Sequence, residues 1–164
     1  MRPTAFMPDY GFRPVTAADL PMLAEWLRVP QVARWWPDAE RQLALIRAER
    51  RAAPMRQLIA LRGDTPLGYA QCYPAFHWPA PHFAGLPQDS IALDVFGAPA
   101  GRGQGGAWLR ALGDLLLQDG STLVIDPAPE NLRAIRAYEK AGFSGLRIAT
   151  DSEGQSVLVM ARRR

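Results

Sequence analysis

The sequence predicts a mixed α/β domain with a mostly antiparallel central sheet flanked by helices, and three observations carry that expectation. Apolar residues recur at helical spacing early in the chain, at Leu20, Leu23, Ala24 and Leu27. The period then changes to strand-like runs on either side of Gly63-Asp64 in "RQLIALRGDTPLGYAQCY". From Ser90 onward, strand and helix patterns follow each other in turn. A chain of 164 residues that is 48% apolar can bury one core without staples, so a single domain over 1–164 is expected.

Taken in order, "GFRPV" reads as a first strand, and Thr16 followed by Asp19 has the spacing of a helix N-cap and its acidic partner. The segment "VPQVARWWPDAERQLALIRAERRAAP" reads as a short helix stopped at Pro37 and a longer one from near Asp38, with Leu43, Ile46 and Arg47 on a half-buried face. The hairpin around Gly63-Asp64 follows. The proline-rich stretch "PAFHWPAPHFAGLPQD" is too irregular for an element and carries both histidines, Trp78 and two phenylalanines, as a folded-back lid or a binding wall would. "SIALDVF" is a strand, "GRGQGG" a glycine loop, and "AWLRALGDLLLQD" a helix with Trp108, Leu112 and Leu115 on its apolar face. "STLVID" is a strand, "PENLRAIRAYEKAGF" a helix closed by Gly142, and "SVLVMARR" a last strand after a turn at Glu153-Gly154.

Composition narrows the chemistry. "MRPTAFMPDYGF" has no apolar stretch of signal-peptide length, and no later run approaches the roughly 18 apolar residues of a membrane span, so a cytoplasmic protein without a membrane partner is expected. Cys72 is the single cysteine, and with only His77 and His82 beside it no zinc pattern forms; no metal is expected. Cys72 reads as a packed strand thiol. The net charge is +3, but the basic residues are not interleaved with aromatics along a stripe, so nucleic acid is not an expected partner. The terminal Arg162-Arg163-Arg164 reads as a solvated tail.

A glycine loop between a strand and a helix presents backbone N–H groups at the positive end of the helix dipole and can wrap an anion, typically a phosphate. Two phosphate motifs do not fit: Ala107-Trp108 stands where a P-loop needs Lys-Ser or Lys-Thr, and the loop comes too late for a dinucleotide fold. The succession "IALDVF", "GRGQGG", "AWLRALGDLLL", "LVID" and "PENLRAIRAYEKAGF" resembles the acetyl-CoA-binding half of the GNAT N-acetyltransferases. Gly103-Gln104-Gly105 fills the glycine part of the family's loop pattern, while Ala100 stands where a polar residue is usual. With "LAEWL", "VARWW" and "PLGYAQCY" included, the chain resembles bacterial aminoglycoside 6′-N-acetyltransferases, which are antibiotic-resistance enzymes, over nearly its whole length.

The resemblance implies an acetyl-CoA co-substrate held by the backbone of Val95 and Phe96, by Arg102, Gly103, Gln104, Gly105, Gly106 and Ala107, and by Asn131, Ala134 and Tyr138. It implies Asp94 as the base that accepts the amine's proton and Tyr138 as the acid that protonates the departing thiolate, with direct attack and no covalent intermediate. Alternation along the strand sets Asp94 opposite Ile91, Leu93 and Val95, which leaves open whether it faces solvent or a cleft. For a polycationic aminosugar, paired carboxylates are needed. Asp126 and Glu153 are the candidates, with Asp94 itself; Trp35, Trp36, Gln71 and Tyr73 are expected to line the same pocket. The related siderophore-type acyltransferases usually carry a strand histidine that Ser90 to Phe96 lacks, so a hydroxylysine-type acceptor is the second reading. A non-catalytic acetyl-CoA-binding module is the third. The assembly is expected to be a monomer or homodimer.

Overall fold

The computed structural model describes residues 9–164, so the first eight residues of the leader reading lie outside it. Seven strands form one sheet: β1 (Tyr10–Pro14), β2 (Arg56–Arg62), β3 (Thr65–Pro74), β4 (Ile91–Gly97), β5 (Thr122–Ile125), β6 (Ser144–Thr150) and β7 (Ser156–Arg163). Five α-helices accompany them: α1 (Leu20–Arg28), α2 (Pro30–Ala33), α3 (Ala39–Glu49), α4 (Gly105–Leu116) and α5 (Leu132–Lys140). The sheet order is β1-β2-β3-β4-β5-β7-β6. Every neighbouring pair is antiparallel except β4 and β5.

Local chemistry sets several boundaries as the sequence implies. The Thr16 N–H donates to Asp19 Oδ2 at 2.8 Å, and Arg13 pairs with the same carboxylate, which fixes the entry to α1. Asp38, at φ 60°, accepts from Arg41 N–H and starts α3. Gly63, at φ 59°, makes the two-residue turn between β2 and β3. Gly142 follows α5 at φ 99°.

Alternation sorts the sheet into two faces. Leu58, Ala60, Ala70, Cys72 and Leu93 join Trp108, Leu109, Leu112 and Leu116 in the main core beneath α4 and α5. On the other face, Ile59, Tyr69 and Phe96 pack with Leu23, Leu27 and Ile46 of α1 and α3. Farther along that face, Ala92, Val124, Val157 and Val159 are covered by Ala75, Phe83 and Leu86 of the proline-rich segment. Two apolar clusters thus share one face with a gap between them.

Three expectations are corrected, and one strand is found where none was expected. Leu115 is exposed, because the buried stripe of α4 runs through Trp108, Leu109, Leu112, Gly113 and Leu116. Arg47 is exposed as well; Ile46 alone on α3 is fully covered. The terminal arginines are not merely solvated: Arg162 threads between α4 and α5 to Arg110 O and pairs with Asp114, while Arg164 donates to Leu117 O and caps the end of α4. Finally, "SGLRIAT" forms the edge strand β6, whose Leu146 and Ile148 face outward, so no burial pattern marks it in the sequence.

Candidate active site

The glycine loop divides its glycines between folding and openness. A Cβ at Gly101 would stand 2.1 Å from Leu67 O, so that glycine exists to let the loop pass the start of β3. A Cβ at Gly106 would lie 3.0 Å from Ala137 O and from Lys140 Cβ, so it brings α4 against α5. Gly103 takes φ 81°, and neither it nor Gly105 has anything within 4 Å of where a Cβ would be. The N–H groups of Gly105, Gly106 and Ala107 begin α4, where no intrahelical acceptor exists for them. Arg102 is exposed beside them, and the Gln104 side chain is drawn aside toward Tyr10 OH and Arg62, at 3.4 Å and 3.3 Å. Open N–H donors, a clear approach and a nearby guanidinium fit the diphosphate of coenzyme A.

A second opening lies between β4 and β5. These strands pair only at Ile91–Leu123 and Ala92–Val124, whereas β3 follows β4 over its full length to Gly97. Beyond Ala92, the β5 side of β4, which includes Val95 and Phe96, has no strand to pair with. Such an edge offers backbone N–H groups to an extended ligand arm or a thioester carbonyl.

Asp94 sits beside this split, and its orientation is resolved by register. Gln71 of β3 is directly opposite Asp94, and Gln71 Nε2 donates to Asp94 Oδ2 at 2.9 Å. Tyr69 OH in turn donates to Gln71 Oε1 at 2.7 Å, which orients the amide. Asp94 therefore faces inward with Gln71 and Tyr73, in the gap between the two apolar clusters. Burial and the negative charge of Asp126 push its pKa up to about 7, against the opposing pull of Gln71 and Tyr73. A carboxylate so poised can take a proton near neutral pH.

The gap is a cavity of about 490 Å³. Five carboxylates line it: Glu49, Asp94, Asp126, Asp151 and Glu153. Asp126 follows the last residue of β5, and Asp151 Oδ1 accepts from the N–H groups of Glu153 and Gln155, shaping the turn before β7. Trp78, Pro79, Ala80, His82 and Phe83 of the proline-rich segment form the opposite wall. That segment is a wall, one of the two roles its aromatics allow.

Tyr138 projects from α5 toward the main core and is half-buried. Burial raises its hydroxyl pKa, and Asp94 and Asp126 push it further in the same direction, so the phenol is held protonated and can serve as a donor. Asn131 caps α5, its Oδ1 accepting from Ala134 N–H at 3.3 Å; the Ala134 N–H is therefore engaged within the helix terminus. Trp35 and Trp36 follow α2 in a turn and are outside the lining of the acidic cavity. Trp36 packs edge-on against Phe96 at 4.9 Å, and Arg34 lies over the Trp35 ring at 4.6 Å.

Among the lining residues that the sequence does not single out are Glu49 and His82. Glu49 ends α3, and burial raises its pKa. His82 Nε2 lies 2.9 Å from Asp126 Oδ2, although 44 positions separate them. No local pattern foretells either, because both reach the cavity through tertiary packing.

The family model for an acetyltransferase (GNAT) domain matches residues 15–150. An aminoglycoside N(6′)-acetyltransferase type 1 from Klebsiella pneumoniae is 34% identical over 168 aligned positions, covering 92% of this chain and 82% of that protein. Among solved structures, the aminoglycoside acetyltransferase AAC(6′)-Ib in complex with coenzyme A and kanamycin superposes with a TM-score of 0.79 at 32% identity, over 95% of each chain. A spermidine N-acetyltransferase from Vibrio cholerae, at 15% identity and a TM-score of 0.67, shares the fold. The sheet split between β4 and β5, the open glycine loop and these likenesses agree: the chain is an N-acetyltransferase and belongs to the GNAT family.

Proposed function

We propose that this enzyme transfers the acetyl group of acetyl-CoA to the 6′-amine of an aminoglycoside. The observation that carries the acceptor class is the cavity ringed by Glu49, Asp94, Asp126, Asp151 and Glu153. A polycation loses hydration on entering such a site and regains it as ion pairs, whereas a neutral amine would leave several carboxylates facing one another. The relatives named for aminoglycosides support the same choice.

When bound, acetyl-CoA supplies an activated acetyl thioester. The first-turn N–H groups of α4, with Arg102, would hold its diphosphate, and the unpaired edge of β4 at Val95 and Phe96 would hold the arm and carbonyl. Asp94 takes the proton from the acceptor's ammonium, directly or through a water, and so frees the lone pair for attack. The protonated Tyr138 hydroxyl gives its proton at the departing sulfur. Asp126 and Glu153 pair with other ammonium groups of the acceptor and orient the reacting amine toward the split. Trp36 supports the substrate side through Phe96 rather than from the cavity wall, which Trp35 does not line either.

The test is to mix enzyme, acetyl-CoA and a panel of amines and to follow free thiol. Release with kanamycin-like sugars and not with hydroxylysine is expected. Release with hydroxylysine alone would give the acceptor to the siderophore-type reading, and saturable coenzyme binding without turnover would leave a binding module.

A further inference from the structure

We propose that His82 is a positioning residue for the acceptor: it holds the Asp126 carboxylate in the orientation that receives a substrate ammonium. This rests on the reading of the acidic cavity as the acceptor site. His82 belongs to the proline-rich wall, and its side chain is 9% exposed while that of Asp126 is 21% exposed. An ionised carboxylate only accepts hydrogen bonds, so His82 Nε2 carries the proton and donates to Asp126 Oδ2 at 2.9 Å. The contact occupies one carboxylate oxygen and leaves Oδ1 to the cavity that both residues line.

Packing alone does not account for a histidine here. Its Nδ1 is buried and has no hydrogen-bond partner among the described residues, a penalty that an apolar side chain would avoid. The imidazole is also held from its own backbone: Arg147 of β6 donates to His82 O and Ala84 O, while Phe83 is seated in the apolar cluster beside it. The wall, the end of β5 and β6 are thus fastened at one point, with the Nε2 donor aimed at Asp126. Without that donor, Asp126 is free to rotate or to turn toward solvent, and an entering ammonium must then order it.

Two variants separate the donor from the packing. Gln in place of His82 can set its amide nitrogen near the position of Nε2, whereas Asn places its amide nitrogen nearer Nδ1. With kanamycin as acceptor, H82N is expected to raise the acceptor KM about tenfold, with kcat falling no more than about threefold and the acetyl-CoA Kd within twofold of the unaltered enzyme. H82Q is expected to recover most of the acceptor KM. Asp126→Asn combined with H82N should be no worse than Asp126→Asn alone, because the histidine acts through the carboxylate. An unchanged acceptor KM in H82N, additive losses in the double variant, or a loss confined to kcat would each overturn the proposal. If the unaltered enzyme turns over no polycationic amine, the acceptor reading itself fails, an outcome distinct from normal turnover that is indifferent to His82.

Discussion

At the scale of single residues, the proposed reaction turns on how Asp94 is held. Asp94→Asn keeps the size and the Gln71 contact but cannot accept the proton; kcat is expected to fall by about 10² or more while coenzyme affinity measured by calorimetry stays near that of the unaltered enzyme. For the unaltered enzyme, kcat/KM for the acceptor should rise with pH through about 7, as Asp94 of the free enzyme ionises. Its neighbours shift that limb in opposite senses. Gln71→Leu removes a donor that favours the charged form and should move the limb to higher pH, whereas Asp126→Asn removes a repelling charge and should move it lower. Stability has its own sign. Because the folded-state pKa is raised above the unfolded carboxylate value of about 4, the native state holds a proton that the unfolded state has lost between those values. The stabilisation is complete below about pH 4 and lost as pH rises through about 7, so Asp94→Asn should melt higher than the unaltered protein at pH 8 and show a smaller difference at pH 4. Equal melting differences at the two pH values would contradict the burial of this charge.

At the scale of elements, the glycine loop and the divergence of β4 from β5 do the work, and the loop's glycines are separable. Gly105→Val meets nothing within 4 Å in the folded protein but puts a side chain over the open N–H groups of α4; the coenzyme A Kd is expected to rise about tenfold or more with little change in melting temperature. Gly106→Val instead presses on Ala137 O and Lys140 Cβ and should destabilise by about 1–3 kcal/mol. If both variants lose stability alike and neither weakens the coenzyme, the loop is a packing device only. Most elements were legible because their signals are local: the period change at Arg56, the turn at Gly63-Asp64, the caps at Asp38 and Gly142. β6 was not, since an edge strand with outward Leu146 and Ile148 shows no buried face. The parity of β4 placed Asp94 opposite Leu93, but only the pairing with Gln71 shows that its side is the cavity. Tyr138 and Asp126 were singled out only through the family likeness of their segments. His82 and Glu49 were not, because their relation to Asp126 and Asp94 exists only once distant segments pack.

At the scale of the whole molecule, the sheet separates two kinds of surface. One face and the glycine loop offer N–H donors and a guanidinium to an anionic coenzyme; the other carries five carboxylates for a cationic acceptor; the split between β4 and β5 joins them. The chain's +3 charge conceals this division, since the acidic cavity is local. Acceptor binding should therefore weaken with ionic strength, with KM for kanamycin rising several-fold between about 0.05 and 0.5 M salt, where screening shortens to a few ångströms. A KM independent of salt would mean that the carboxylates do not recognise the acceptor's charge. The decisive measurement is the position of acetylation on kanamycin incubated with the enzyme and acetyl-CoA, assigned by NMR of the product. A single acetyl group on the 6′-amine is the expected result; acetylation at another amine, or no acetylated product under saturating acetyl-CoA, would contradict the assignment of this cavity.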